Sequence, residues 1–141
     1  MARSKRQAEP ACPISYALEI FGDRWTLLVL RDLLLTAKRR YGELLASPEG
    51  IATNILADRL KRLEGRGLVN KARDPVDSRQ FIYSPTERAI SLIPMLLELI
   101  AWSARSGDVN VDRKILRDYR RDRDACVRRL QEAVRKTSGP A

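Results

Sequence analysis

Histidine is absent from all 141 positions. Its absence removes the commonest metal ligand and the usual general base near neutral pH. Cysteine is scarce: Cys12 and Cys126 stand more than a hundred positions apart, which suits neither a disulfide framework nor a CxxC site. No glycine-rich phosphate loop occurs. Carboxylates are plentiful, but they sit among Arg and Lys on helical stretches, as on solvated faces. The chain is therefore expected to be no enzyme and to hold no metal and no cofactor. Long apolar runs are missing too; none approaches the ~20 residues needed to cross a bilayer. The polar start, Met1 to Pro10, lacks the apolar region of a secretory signal. Acidic residues are in deficit, 18 against 27 Lys and Arg, for a formal net charge of +9. That excess points to a polyanionic partner, most commonly nucleic acid. The expected setting is a reducing cytoplasm, with no membrane attachment.

What is present orders itself clearly. Residues 1–11 read as an arm carrying Arg3, Lys5 and Arg6. Pro13 suits the first turn of a helix that continues through Ile14, Leu18 and Phe21 and ends at Gly22. Asp23 can cap the next helix, Arg24 to Leu35, which is apolar nearly all round and reads as a buried centre. After Lys38-Arg39-Arg40 a short helix spans Tyr41 to Ala46, and Ser47-Pro48-Glu49-Gly50 is a turn. Ala52 to Arg66 places Leu56, Leu60 and Leu63 on one helical face, and Gly67 stops it. Two strands follow, from Leu68 to Arg73 and from Gln80 to Ser84, around the turn-rich tip Asp74–Ser78. Ile90 to Trp102 is an apolar helix with Pro94 as a kink. Gly107 to Asn110 reads as a break, and Arg113 to Lys136 as one helix with Leu116, Tyr119, Cys126, Leu130 and Val134 near one face.

The pattern is mainly α (α+β). Two helices joined by a tight turn, the second with one apolar stripe, make a helix-turn-helix, and the hairpin after it makes a two-stranded wing. Extra C-terminal helices complete the predicted architecture. An α+β domain of another kind can show the same order.

Gly22-Asp23-Arg24-Trp25-Thr26-Leu27-Leu28-Val29-Leu30-Arg31-Asp32-Leu33, preceded by Cys12-Pro13, resembles the opening block of the HxlR family of winged-helix regulators, related to the MarR type. Gly50 through Glu64, ending in Gly67-Leu68-Val69, resembles that family's recognition-helix block, and Tyr83 through Trp102 adds a third. Three departures stand out. Ala52 replaces a usual Ser, which passes the helix cap to Thr53. Glu87-Arg88-Ala89 replace a basic residue and a Gly, and the 74–80 wing is not the common Pro-rich form. The resemblance implies a winged-helix DNA-binding domain over 12–104, a helical extension over 105–141, and a homodimer built from the first and post-wing helices. The expected interface is Ile14, Leu18, Ile93, Leu96, Leu97, Ile100 and Trp102.

Double-stranded DNA is then the expected partner. A helix fits the major groove, and its N-terminal residues reach base edges. Thr53, Asn54, Ala57, Asp58, Lys61 and Arg62 lie off the Leu stripe and are the candidate contacts on this helix. Asn54 can pair bidentately with adenine, and Lys61 can reach a phosphate or a guanine. Lys38, Arg39, Arg40, Arg73 and Arg79 are candidate phosphate or minor-groove contacts. Arg62 can equally make a helix-surface ion pair. Cys12, at a helix start near positive charges, is a candidate redox or electrophile sensor, or else a small buried residue. A small-molecule or oxidant effector is thus expected. A non-specific nucleoid-type protein and a winged-helix protein-interaction module are the alternatives to a sequence-specific regulator, with a repressor the favoured type.

Overall fold

The computed structural model describes residues 12–138; the arm assigned to 1–11 lies outside the described residues. Ten elements follow in order: α1 (Pro13–Phe21), α2 (Arg24–Leu35), α3 (Tyr41–Leu45), α4 (Thr53–Gly65), β1 (Val69–Arg73), β2 (Phe81–Pro85), α5 (Glu87–Ile90), α6 (Ile93–Ser106), α7 (Arg113–Arg121) and α8 (Arg123–Thr137). This is a winged helix-turn-helix with additional C-terminal helices. The α3–α4 pair forms the motif, and β1 and β2 pair antiparallel, Lys71 opposite Tyr83 and Arg73 opposite Phe81.

Local chemistry explains most boundaries. Pro13 occupies the first turn of α1, where its missing N–H costs nothing. The Asp23 carboxylate accepts from the Trp25 and Thr26 backbone N–H groups and caps α2. At the far end of α4, Gly67 adopts φ +73°; its N–H donates to the Glu64 carbonyl while the Leu68 N–H donates to Leu63. The left-handed glycine thus satisfies two terminal carbonyls and turns the buried Leu68 back towards Leu63. The α4 start differs from expectation. Ala52, not Thr53, is the N-cap, and no side chain caps the helix.

The core surrounds α2. Leu30, Leu33, Leu56, Leu63, Leu68, Ile93 and Leu97 are almost wholly removed from solvent, each burial stabilising by about 1.5–3 kcal/mol. The apolar stretch after the wing is not one kinked helix. Over Glu87–Ser106 it is long and apolar enough, by length and composition, to cross a bilayer, which corrects the absence of such a run noted from sequence. It breaks at Ser91–Leu92, and Pro94 falls in the first turn of α6. Proline there cannot donate to the Ile90 carbonyl, which instead accepts from the Gln131 side chain at 3.3 Å.

The tail also divides. Asp122 leaves helical geometry (φ −152°, ψ 96°), and its carboxylate caps α8 by accepting from the Ala125 N–H. The single helix expected over 113–136 is therefore a helical hairpin, packed on α2 and α6 of its own chain. Tyr119, Cys126 and Val134 supply its buried side.

Candidate nucleic-acid interface

The side of α4 opposite its buried Leu56, Leu60 and Leu63 presents Thr53, Asn54, Ala57 and Lys61 to solvent. These four come together as one outward face, one turn apart along the helix. Asp58 and Arg62 lie beside it but are engaged. The Asp58 carboxylate accepts from Arg59 at 2.5 Å and from Arg62 at 3.1 Å. With no side-chain cap, the first α4 N–H groups are left for outside acceptors.

Three contacts fix how α4 sits. The Arg59 guanidinium, largely covered, donates to Asp23 at 2.9 Å and ties α4 to the start of α2. Burial pushes the Asp23 carboxyl up, but the Thr26 and Arg59 hydrogen bonds outweigh it and bring it down to about 2. The Tyr41 hydroxyl donates to the Thr53 carbonyl at 2.7 Å, joining α3 to the first turn of α4. Across the motif's turn, Arg31 grips Glu49 with both terminal nitrogens, at 2.6 and 2.8 Å, while its Nε donates to Asp32. The Arg31 hydrogen bond holds the Glu49 carboxyl at about 2, against the opposing effect of partial burial. Asp32 is buried and also accepts from the Ser47 hydroxyl.

The basic triplet before α3 has partners within the fold, and Arg39 alone of the three is buried. Lys38 donates to the Ser47 hydroxyl at 2.7 Å and lies 3.6 Å from Asp32. Arg39 is buried and donates to the Leu33 and Lys38 carbonyls and the Thr137 hydroxyl. Desolvation lowers its pKa, and its Nε has no partner. Arg40 donates to Asp74 at 2.6 Å and so anchors the wing tip to the start of α3. The same segment extends the wing: Arg40 bridges to Ile82, and the Tyr83 N–H donates to the Arg39 carbonyl. A triplet of like charges gives no sign that each member has its own distant acceptor.

On the wing, strand alternation gathers Lys71 and Arg73 with Phe81 and Tyr83. The Lys71 ammonium lies 4.2 Å from the Phe81 ring centre, and the Arg73 guanidinium 5.0 Å. Arg73 also donates to the Ser78 carbonyl at 2.7 Å. Arg79 is 88% exposed and pairs with Asp77 at 3.0 Å. Lys71, which from sequence reads equally as a phosphate contact or a solvated charge, is placed on this face by the strand register.

The expected dimer residues divide. Ile14, Leu18 and Trp102 are exposed, at 71, 57 and 61%. Ile100 is half-buried, and no residue of α1 is buried. Ile93, Leu96 and Leu97 instead fill this chain's own core; at helical spacing they turn inward with Ala101 against α2, which corrects their assignment to a partner-facing surface. Cys12 is exposed and Cys126 buried, both as free thiols.

Comparison with known proteins agrees with this geometry. Residues 20–110 match the description "HxlR-like helix-turn-helix". An uncharacterised helix-turn-helix transcriptional regulator of Synechocystis, sll1512, is 34% identical over 62% of this chain and 64% of its own length. The chain thus spans just under two thirds of that relative. The crystal structure of PA1607, a transcription-factor candidate, superimposes with a TM-score of 0.66 at 30% identity, over 72% of this chain and 69% of the other. The reduced form of the Bacillus subtilis transcriptional regulator YodB gives 0.57 at 29% identity, over 69% and 98%. YodB is also known in diamide-treated and quinone-bound forms.

Proposed function

The chain belongs to the HxlR-like helix-turn-helix family of transcriptional regulators, and from that premise we propose that it is a cytoplasmic repressor that binds a near-palindromic DNA site as a homodimer. The observation that carries the reading is the outward face of Thr53, Asn54, Ala57 and Lys61 on a helix whose other side is locked into the core. A helix so presented enters the major groove with its N-terminal turns at the base edges. Asn54 reads adenine, Ala57 and the Thr53 methyl meet a thymine methyl, and Lys61 takes a phosphate or guanine. Lys71, Arg73 and Arg79 of the wing neutralise phosphates flanking that contact. Residues 12–104 carry DNA binding and dimerisation, and α7 and α8 form a helical extension. The chain does no catalysis.

Dimerisation follows from apolar surface that the protomer leaves uncovered. Ile14 and Leu18 on α1 and Trp102 on α6 are large, exposed side chains of the kind that mark an interface. In a two-fold dimer the α4 helices lie about 34 Å apart, one turn of DNA. Cys12, exposed at the start of α1, lies at that interface and responds to oxidants or electrophiles.

The test is selection of bound DNA from a random pool, repeated with and without diamide. The expected result is a two-fold-symmetric site retained against excess unrelated DNA and weakened by the oxidant in wild type but not in Cys12→Ser. Enrichment of no site despite strongly salt-dependent binding marks a non-specific nucleoid-type protein. Absence of salt-dependent binding marks a protein-interaction module.

A further inference from the structure

A cleft of about 620 Å³ opens between α2, α6 and the segment leading into α7. Its volume lies within the range of small-molecule sites. Leu35, Leu96, Ile100, Val111 and Ile115 supply apolar walls, and Arg31, Glu49, Asn110 and Asp112 add polar groups. Two features set it apart. The Val111–Ile115 side lies beyond residues 20–110, so this chain's own extension closes the cleft rather than the part shared with the family. The other feature is Glu49, which belongs to the turn between α3 and α4 and is gripped by Arg31 of α2.

We propose that this cleft binds an uncharged, largely apolar small molecule, and that the Arg31–Glu49 pair passes occupancy on to α4. The proposal rests on the regulator reading above only for its second half. Charge selects the ligand class. Arg31 is the one cation among the described lining residues, and Nε and both its terminal nitrogens already donate to Asp32 and Glu49. Asp112 is the second carboxylate of the lining and accepts from the Lys114 and Ile115 N–H groups. An anion entering here meets two carboxylates and no unpaired cation, and pays desolvation without compensation. A neutral ring with one hydroxyl meets apolar walls and has the Asn110 amide and Ser103 hydroxyl as partners.

Coupling follows from geometry. A ligand against Arg31 repositions a guanidinium whose bidentate pair fixes the motif's turn, and α4 begins three residues beyond Glu49 at the Ala52 cap. A ligand that favours one arrangement of that pair shifts DNA affinity by its difference in affinity for the two arrangements.

The experiment uses the full chain with 1-naphthol and 1-naphthoate at pH 7.5, titrated calorimetrically, with DNA affinity measured in parallel. Saturable 1-naphthol binding, at least tenfold tighter than 1-naphthoate, is expected. Ser103→Trp and Val111→Trp, each filling the cleft from a different side and each checked by thermal melting, should weaken it at least tenfold. In wild type 1-naphthol should change DNA affinity roughly 5- to 150-fold, the usual span of allosteric coupling. At naphthol concentrations that saturate Glu49→Gln, whatever its own affinity for the ligand, that change should fall below twofold. The cleft assignment is overturned by no saturable binding, by naphthoate binding as well as naphthol, by undiminished binding in both Trp variants, or by naphthol dissociating the protein to monomers, which would show a second copy seated there. The coupling is overturned if wild-type DNA affinity does not respond. If no DNA site can be selected at all, the regulator reading fails, and the naphthol titration still decides the cleft.

Discussion

Asp23 joins the start of α2 to the middle of α4, and removing its charge should loosen α4 measurably. Its carboxylate caps two backbone N–H groups, accepts the Thr26 hydroxyl at 2.6 Å and receives Arg59 at 2.9 Å. A carboxyl brought from 3.8 to about 2 corresponds to roughly 2.4 kcal/mol of stability at neutral pH. Because 34% of the side chain meets solvent, screening reduces this to about 1–1.5 kcal/mol. The sign is that of a lowered carboxylate: the contribution is complete above the unfolded value and is lost as pH falls from about 5 towards 2. Asp23→Asn keeps a capping oxygen but no charge, and should cost about half that amount. Asp23→Ala should cost all of it, and about 0.5 kcal/mol more for the lost cap. Urea unfolding at pH 7 and pH 3, with Arg59→Gln and the double variant completing a cycle, measures these values. Equal stability of Asp23→Asn and wild type at pH 7, or additive effects of Asp23→Asn and Arg59→Gln, would refute the link.

Asn54→Ala should relax discrimination at one adenine by about 1–3 kcal/mol, roughly 5- to 150-fold, read by competition between matched and mismatched sites. Lys61→Ala should weaken binding to all sites alike and reduce the salt slope by about 0.9 if Lys61 meets a phosphate. Trp102→Asp should yield monomers in sedimentation while helix content is unchanged, since the 61% exposed ring supports no core of its own chain. Ala37 holds φ +56°, a left-handed conformation that favours glycine. Ala37→Gly should therefore raise stability by about 0.5–1 kcal/mol, seen as a few degrees in the melting temperature.

The features legible in the sequence were those whose cause is local. Pro13, Asp23 and Gly67 mark helix ends because each satisfies or omits a backbone hydrogen bond within a few residues. Leu56, Leu60 and Leu63 announce the buried side of α4 through spacing alone, and so define its free face by elimination. Pairing between charges was not legible. Lys38, Arg39 and Arg40 read as one basic run, yet their partners Ser47, Thr137 and Asp74 lie 9, 98 and 34 positions onward. Apolar surplus was legible on α6, but its division was not. Ile93, Leu97 and Trp102 share one helix, and only the placement of α2 decides which of them turns inward. The α7–α8 break was hidden because periodicity continues across Asp122; an Asp in mid-run, able to cap a helix, was its one local sign.

The Arg39 hydrogen bond to Thr137 brings the end of α8 to the segment whose carbonyl receives the Tyr83 N–H of the wing. Position 138 therefore offers an optical vantage on the wing root that leaves the exposed face of α4 untouched. A fluorophore there, paired with a second dye at exposed Val76 on the tip, would turn wing movement into a change in energy transfer. That would make the molecule its own reporter of operator engagement, in solution and in real time.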